Sequence, residues 1–365
     1  MKILHTEASC GWGGQEIRIL SEAQGLIERG HDVRLICPPE ARIFSEAPRF
    51  GVPVESLPIG RKKLRGLLAM HGYLRQHRFD VINTHSSTDS WLAALASRLL
   101  TNAPPIVRTR HISAPISGNA STRWLYATAT RYIATTGEAL REQLLATLPM
   151  APERIVSVPT GVDTERFQPA DAALRRARRE QLGLPVDGPL VGIVATLRSW
   201  KGHRFLVESM MAPALQHAQL VIVGDGPQDT ALAAQVATLG LADRVRLVGN
   251  YPDVVPWLQS FDLFVLPSYA NEGVPQALMQ AMACALPCIT TAVGAIPELA
   301  RHNQTAMVVP AQDVPALASS IGHLLADEPL RARLGGAARQ HVVATHGRAL
   351  MLDRMETLFR KAVAG

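Results

Sequence analysis

Two doubly wound α/β domains are predicted for this chain of 365 residues, and three observations predict them. Short β-rich runs alternate with helix-length segments from one end to the other, the signature of stacked βαβ units around a parallel sheet. The alternation pauses once, in the Pro- and Gly-bearing stretch "PTGVDTERFQP", and then restarts. The chain is also longer than one hydrophobic core commonly organises. Hydrophobic residues make up 47% and charged residues 19%, which fits an Ala- and Leu-rich globular protein rather than a disordered or fibrous one.

Strands are expected in the first half at "KILHT", "DVRLICP", "VPVESLP", "FDVINTH", "PIVRTRH", "RYIATT" and "RIVSVPT". The first helix follows "GWGG", with Ile17, Leu20, Ala23 and Ile27 on one face, and is closed by Gly30. A first domain is therefore expected over residues 1–165. The charged helix "DAALRRARREQL" and the loop "GLPVDGP" open a second domain over residues 166–346, with strands at "LVGIVATL", "LVIVGDGP", "VRLVGN", "LFVLPS", "PCITTAV" and "AMVVP". No repeat of fixed period is visible, which disfavours a solenoid. Two such domains facing each other would set the carboxyl ends of their strands, where open α/β sheets bind ligands, on either side of a cleft.

The formal net charge of +6 biases the protein toward anionic partners: nucleic acid, phosphorylated metabolites or an anionic membrane surface. Cys10, Cys37, Cys284 and Cys288 show no CxxC or Cys/His ligand spacing, so a reducing cytoplasm and no structural zinc are expected. No long apolar h-region follows Met1-Lys2, and no window of about 18 apolar residues occurs. A soluble or membrane-surface protein is expected.

Between the first strand and the first helix, "SCGWGGQEIRIL" places Gly11, Gly13 and Gly14. Glycines there permit close backbone approach, and the helix start offers unsatisfied N–H groups to an anion or a sugar hydroxyl. A tight turn that binds nothing is the competing reading. The spacing is not GxGxxG, and no acid closes "DVRLICP" where a dinucleotide-binding domain places one for the ribose, so a dehydrogenase fits poorly. In the second domain, "ATLRSWKGHRF" sets Arg198 and Lys201 in one loop after a strand. Two such cations suit a diphosphate, each charge-assisted bond contributing about 1.5–3 kcal/mol. A solvated basic loop would read the same way.

The stretch "SYANEGVPQALMQAMACALPCITTAVGAIPEL" carries the most chemistry. Glu272 sits in a loop whose Pro275 is placed to open the helix "PQALMQAMACAL", with Gln280 one to two turns inside it. A carboxylate that accepts two sugar hydroxyls beside the N–H groups of a helix start makes an effective sugar clamp. The loop "TTAVGAIPEL" repeats the device, with Gly294, Ala295 and Pro297 leading into another helix.

Taken in order with "VPTGVDTERFQP" before them, "ATLRSWKG", "VIVGDGP", "LVGNYPDV", "LFVLPSYANEGVPQALMQAMACALP" and "TAVGAIPEL" resemble the retaining glycosyltransferases of family 4 over nearly the whole chain. The resemblance implies two Rossmann-like domains of GT-B type, with a closing helix over residues 347–365 returning to the first. It implies that Lys201 binds the donor diphosphate. The family's arginine of a "GRL" triplet is replaced by Thr196 in "ATL", with Arg198 two residues on as substitute. Of the family's E-x7-E pair, Glu272 would contact the donor sugar near the reacting carbon, flanked by Gly273 and Val274, and Gln280 would take the ribose hydroxyls. Gln280 keeps an acceptor and loses the charge, so ribose binding would weaken rather than vanish. Gly13 and Gly14 match the family's first loop, at the donor diphosphate, and Asn250 and Tyr251 match the region of the nucleobase. His111, closing "RTRH", matches a histidine that approaches the donor sugar, to stabilise charge rather than act as a base; His85 in "NTHSSTD" is a second candidate. A lone strand-end histidine is also a common structural residue.

These matches make the expected function retaining transfer of a sugar from a UDP-, GDP- or ADP-sugar to a glycan or lipid-linked hydroxyl, in assembly of bacterial envelope polysaccharide or lipopolysaccharide. No D-x-D triplet occurs, so neither a metal nor any other cofactor is expected beside the nucleotide sugar. A nucleotide-sugar epimerase of the same fold and a sugar-nucleotide-binding protein of weak catalysis are the alternatives. Nucleic acid ranks last, for want of aromatic-basic interleaving. The basic, partly amphipathic segment "GRKKLRGLLAMHGYLRQHRF" reads as a solvated helix or as a patch against anionic lipid; in the second case the protein would sit on the inner face of the cytoplasmic membrane.

Overall fold

A computed structural model describes residues 1–365 apart from Ser113 and Pro115. The chain divides into two compact units, Met1–Gly161 with Arg348–Gly365, and Val162–Gly347. Among the described residues no helix is long and apolar enough to cross a membrane.

Unit 1 is built on seven strands: β1 (Lys2–Thr6), β2 (Asp32–Cys37), β3 (Val54–Ser56), β4 (Val81–Thr84), β5 (Ile106–Arg110), β6 (Tyr132–Thr135) and β7 (Ile155–Ser157). All neighbouring pairs are parallel, in the order β3-β2-β1-β4-β5-β6-β7. The strand residues alternate between two apolar clusters, Ile3 in one and Leu4 in the other, so both faces of the sheet are covered, as parallel sheets require. On the Ile3 face the helix Gly14–Glu28 packs beside the closing helix Arg348–Ala364, which delivers Met351, Leu352, Met355, Leu358 and Phe359 to the core. Each such side chain contributes about 1.5–3 kcal/mol when fully buried.

The first helix does not present the face that its apolar spacing predicts. Ile19, Leu20, Ala23 and Leu26 are fully buried, Ile17 and Ile27 only half. The reason is polar: Arg18 and Glu22 enter the interior as an ion pair at 3.6 Å, with Arg18 also donating to the Val158 carbonyl, and they turn the helix away from the face counted on apolar residues alone.

Unit 2 carries β8 (Leu190–Val194), β9 (Gln219–Val223), β10 (Val245–Gly249), β11 (Leu263–Leu266), β12 (Cys288–Thr290) and β13 (Met307–Val308), parallel in the order β10-β9-β8-β11-β12-β13. The order reverses at β8, whose neighbours are β9 and β11, and at such a switch point the loops leave in opposite directions and open a crevice. Two expected helix features change. Pro275 is the cap before the helix Gln276–Ala283 rather than its first residue, because its ψ of 119° is extended. The segment after Gly294 forms only a three-residue 3-10 turn, Ile296–Glu298. Thr305 stops it there, donating to the Leu299 carbonyl and accepting from the Arg301 N–H at 2.9 Å each, and the left-handed Asn303 then turns the chain toward β13.

Candidate active site

The switch point of unit 2 explains why its two strongest candidates meet. Lys201 ends the loop after β8 and Glu272 lies in the loop after β11. The ammonium of Lys201 donates to both Glu272 oxygens, at 2.7 and 2.9 Å, and the Ser268 hydroxyl donates to Oε1 at 2.5 Å. The two loops are also tied through their main chains, Tyr269 N–H to the Trp200 carbonyl at 2.8 Å. Glu272 is only 4% exposed. A cation and a hydroxyl thus stand where water would otherwise solvate this buried carboxylate.

Two glycines permit this packing. Gly202 follows Lys201 at a φ of 78°, and a Cβ there would strike the Pro267 carbonyl. Gly294 has a φ of 60°, and a Cβ there would strike the carbonyl of Glu272, which accepts the Ala295 N–H at 3.2 Å. Asn271, just before the acid, is itself left-handed at a φ of 55°, a conformation that asparagine tolerates better than most residues. Thr291 donates to the Ser268 carbonyl at 2.5 Å and fixes the residue that holds Glu272. Sequence reasoning missed Ser268 and Thr291; a hydroxyl four residues before an acid in a strand-to-helix loop was the available signal.

The other unit 2 candidates differ in burial. Gly273 and Val274 continue the loop after Glu272, with Val274 buried. Gln280 is half-buried on the helix Gln276–Ala283. Arg198 and Thr196 are exposed, and the Arg198 guanidinium lies 5.7 Å from the centre of the Trp200 ring. Asn250 and Tyr251 are exposed after β10, with the Tyr251 ring 4.8 Å from that of Trp257.

In unit 1, Gly13 caps the helix that begins at Gly14, its carbonyl accepting from Ile17 at 3.1 Å. The glycine-rich loop is fastened over Glu7, which follows β1. Its carboxyl accepts the Ser9 N–H at 2.6 Å and the Gln15 amide at 2.5 Å. Burial, with the nearby Asp89 charge adding, pushes the Glu7 carboxyl up to about 8, so it is mostly protonated at neutral pH. Glu22 rises to about 7, burial again outweighing the opposing charge of Arg18.

His111, just after β5, lies with its Nε2 2.9 Å from Nδ1 of His85, and Nε2 of His85 lies 2.9 Å from Nδ1 of His5. Burial holds His5 down to about 3 and depresses His85 and His111 well below the ordinary imidazole range. All three rings are neutral at physiological pH. His5 and Glu7 were not among the residues the sequence singled out, since neither carries a motif of its own.

Comparison with known proteins matches both units of the chain. The family profile described as "Glycosyltransferase Family 4" matches residues 12–166, and that described as "Glycosyl transferases group 1" matches residues 188–327. A D-inositol 3-phosphate glycosyltransferase of Xylanimonas cellulosilytica is 29% identical, the match covering 90% of this chain and 87% of that one. One of Acidothermus cellulolyticus is 28% identical over 92% and 82%. Among solved structures, Anabaena Alr3699/HepE in complex with UDP superposes with a TM-score of 0.86 at 20% identity, covering 99% of this chain and 100% of that one. WaaG, a glycosyltransferase involved in lipopolysaccharide biosynthesis, gives 0.73 at 16% identity over 98% and 99%. With both of its units matched in this way, the chain belongs to the family 4 glycosyltransferases and has the GT-B fold.

Proposed function

We propose that this glycosyltransferase moves a sugar, with retention of anomeric configuration and without a metal, from a nucleotide diphosphate sugar to a hydroxyl acceptor in bacterial envelope polysaccharide or lipopolysaccharide assembly. The observation that carries the reading is the Lys201–Glu272 pair at the switch point, held on both carboxylate oxygens. A nucleotide sugar brings the complement of each partner: phosphate oxygens for the ammonium, and sugar hydroxyls for the carboxylate. In this reading the donor parts the pair and engages both groups at once. Structural neighbours solved with UDP and with UDP-glucose support a uridine nucleotide, and relatives named for an inositol phosphate support a polyol or glycan hydroxyl as acceptor.

Gln280 offers the ribose an amide in place of a carboxylate, and Asn250 and Tyr251 border the base. In unit 1, the helix start at Gly13 is of the kind that binds an anion. The acceptor proton passes to the leaving phosphate oxygen in a same-face displacement, so no protein base is required. The exposed Leu64 and Leu68, with the exposed Arg61, Lys62, Lys63 and Arg65 beside them, support attachment to an anionic membrane surface that supplies a lipid-linked acceptor.

Thermal shift with UDP-, GDP- and ADP-sugars tests the donor, since a ligand that binds only the folded state raises its melting point. A UDP-sugar is expected to give the largest rise. Proton NMR of the product then tests retention, and transfer in excess EDTA tests metal independence. An inverted anomer, or activity lost to chelator and restored by a divalent cation, overturns the corresponding part. Flotation with phosphatidylglycerol vesicles but not phosphatidylcholine vesicles tests the membrane surface.

A further inference from the structure

Three imidazoles in unit 1 form one hydrogen-bonded file. His5 and His85 meet Nδ1 to Nε2 at 2.9 Å, and His85 and His111 meet Nδ1 to Nε2 at 2.9 Å. The planes of the first two rings lie within 9° of parallel and those of the second two are tilted by 35°, and a linear N–H···N bond allows both, since a ring can turn about the N···N axis. His5 and His85 are buried and His111 is half-buried, so the file runs from the core outward and ends on Nδ1 of His111.

A neutral imidazole carries a single N–H. Three neutral rings joined by these two bonds therefore have two registers: every proton on Nδ1, or every proton on Nε2. The registers differ at the ends. With protons on Nε2, His5 buries an N–H that has no hydrogen-bond partner among the described residues; the perpendicular Phe359 ring, 6.5 Å away between centres, offers it no nitrogen or oxygen. With protons on Nδ1, the same atom is a bare lone pair. Buried N–H groups without partners are the rarer of the two defects, so the Nδ1 register is preferred. Asp89, the carboxylate bonded to the file, takes the main-chain N–H of His85 and leaves both ring nitrogens to the other histidines.

We propose that His5 and His85 are positioning residues that hold His111 as a neutral Nδ1–H donor to a substrate oxygen, and so prevent it from acting as a base. The substrate half of this rests on the glycosyl-transfer reading above; the tautomer half does not. Burial keeps the file uncharged, with the Arg18 charge acting in the same direction on His85 and His111.

Long-range 1H–15N NMR of the full chain, labelled with 15N-histidine at pH 7, reads each tautomer directly. His5, His85 and His111 are expected to show a protonated Nδ1 and a bare Nε2. In His85→Gln the file is cut, an Nε2–H population of His111 emerges, and kcat falls by up to about 100-fold with little change in donor KM. His5→Gln, which offers a donor and an acceptor at the buried end, releases the register without cutting the file and serves if the first variant fails to fold. Nε2–H or imidazolium on His111 in the wild type, or an unchanged Nδ1–H in both variants, overturns the proposal. An Nδ1–H file in a protein that transfers no sugar overturns its substrate half alone, whereas a wrong tautomer in an enzyme that loses transfer with Lys201→Ala leaves the glycosyl-transfer reading standing.

Discussion

Unit 2 and unit 1 hold their candidate groups by opposite means. In unit 2 a buried carboxylate is paired with the ammonium of Lys201 and the hydroxyl of Ser268. In unit 1 the groups beside the carboxyl ends of β1, β4 and β5 are pushed toward neutrality: Glu7 is raised to about 8, His5 is lowered to about 3, and His85 and His111 lie well below their usual range. A charged clamp suits a ligand that carries its own charges, whereas uncharged donors and acceptors suit hydroxyls, which must be oriented without being ionised.

Removing the charged clamp is expected to have the largest effect. Lys201→Ala takes the cation from Glu272, and Glu272→Ala removes the proposed acceptor of the sugar hydroxyls; either should lower kcat/KM by about 100- to 1,000-fold, measured with labelled donor, while circular dichroism stays native. Full activity in both variants would remove unit 2 from the comparison. Gly294→Ala comes next: a left-handed position and a collision with the Glu272 carbonyl should cost about 1–3 kcal/mol of stability, read by urea denaturation, with transfer lowered in parallel. Ser268→Ala, which removes one of the groups holding Glu272 in place, should cost transfer about 10- to 100-fold, a hydrogen bond to a charged group contributing about 1.5–3 kcal/mol.

The smallest effect sharpens the neutral side through pH. Glu7 binds its proton more tightly folded than unfolded, so its stabilisation is complete below its ordinary value of 4.5 and is lost as pH rises toward about 8. The histidines have the opposite sign: they bind protons less tightly folded, and their contribution is lost as pH falls below their ordinary 6.5. Between pH 6.5 and 8 the carboxyls therefore act nearly alone, and unit 1 should lose stability as pH rises. Glu7→Gln should flatten that loss by on the order of 1 kcal/mol, followed by hydrogen exchange of unit 1 amides. An identical slope in the variant would return Glu7 to the charged class.

The parallel sheets are legible in the sequence because strands buried on both faces read as continuous apolar runs, such as "LVGIV" and "LFVL". Lys201 and Glu272 are legible because glycine and proline mark the loops that carry them. The histidine file is not. It depends on strand register, which sets His5 opposite Asn83 and Thr84 opposite Arg108 and so brings three residues distant in sequence into line. Nor is the true buried face of the first helix, because Arg18 and Glu22 count as solvent-facing in any apolar pattern although they neutralise each other inside. The short turn at Ile296–Glu298 escapes for a related reason: what halts it is a hydroxyl at Thr305, not a helix breaker.

The closing helix Arg348–Ala364 belongs to the unit that begins the chain. During synthesis one flank of the first sheet stays only partly covered, by the helix Gly14–Glu28, while residues Val162–Gly347 of unit 2 are made. Only when Met351, Leu352, Met355, Leu358 and Phe359 leave the ribosome is that flank sealed. Until then the apolar surface that these five side chains cover stays open to solvent.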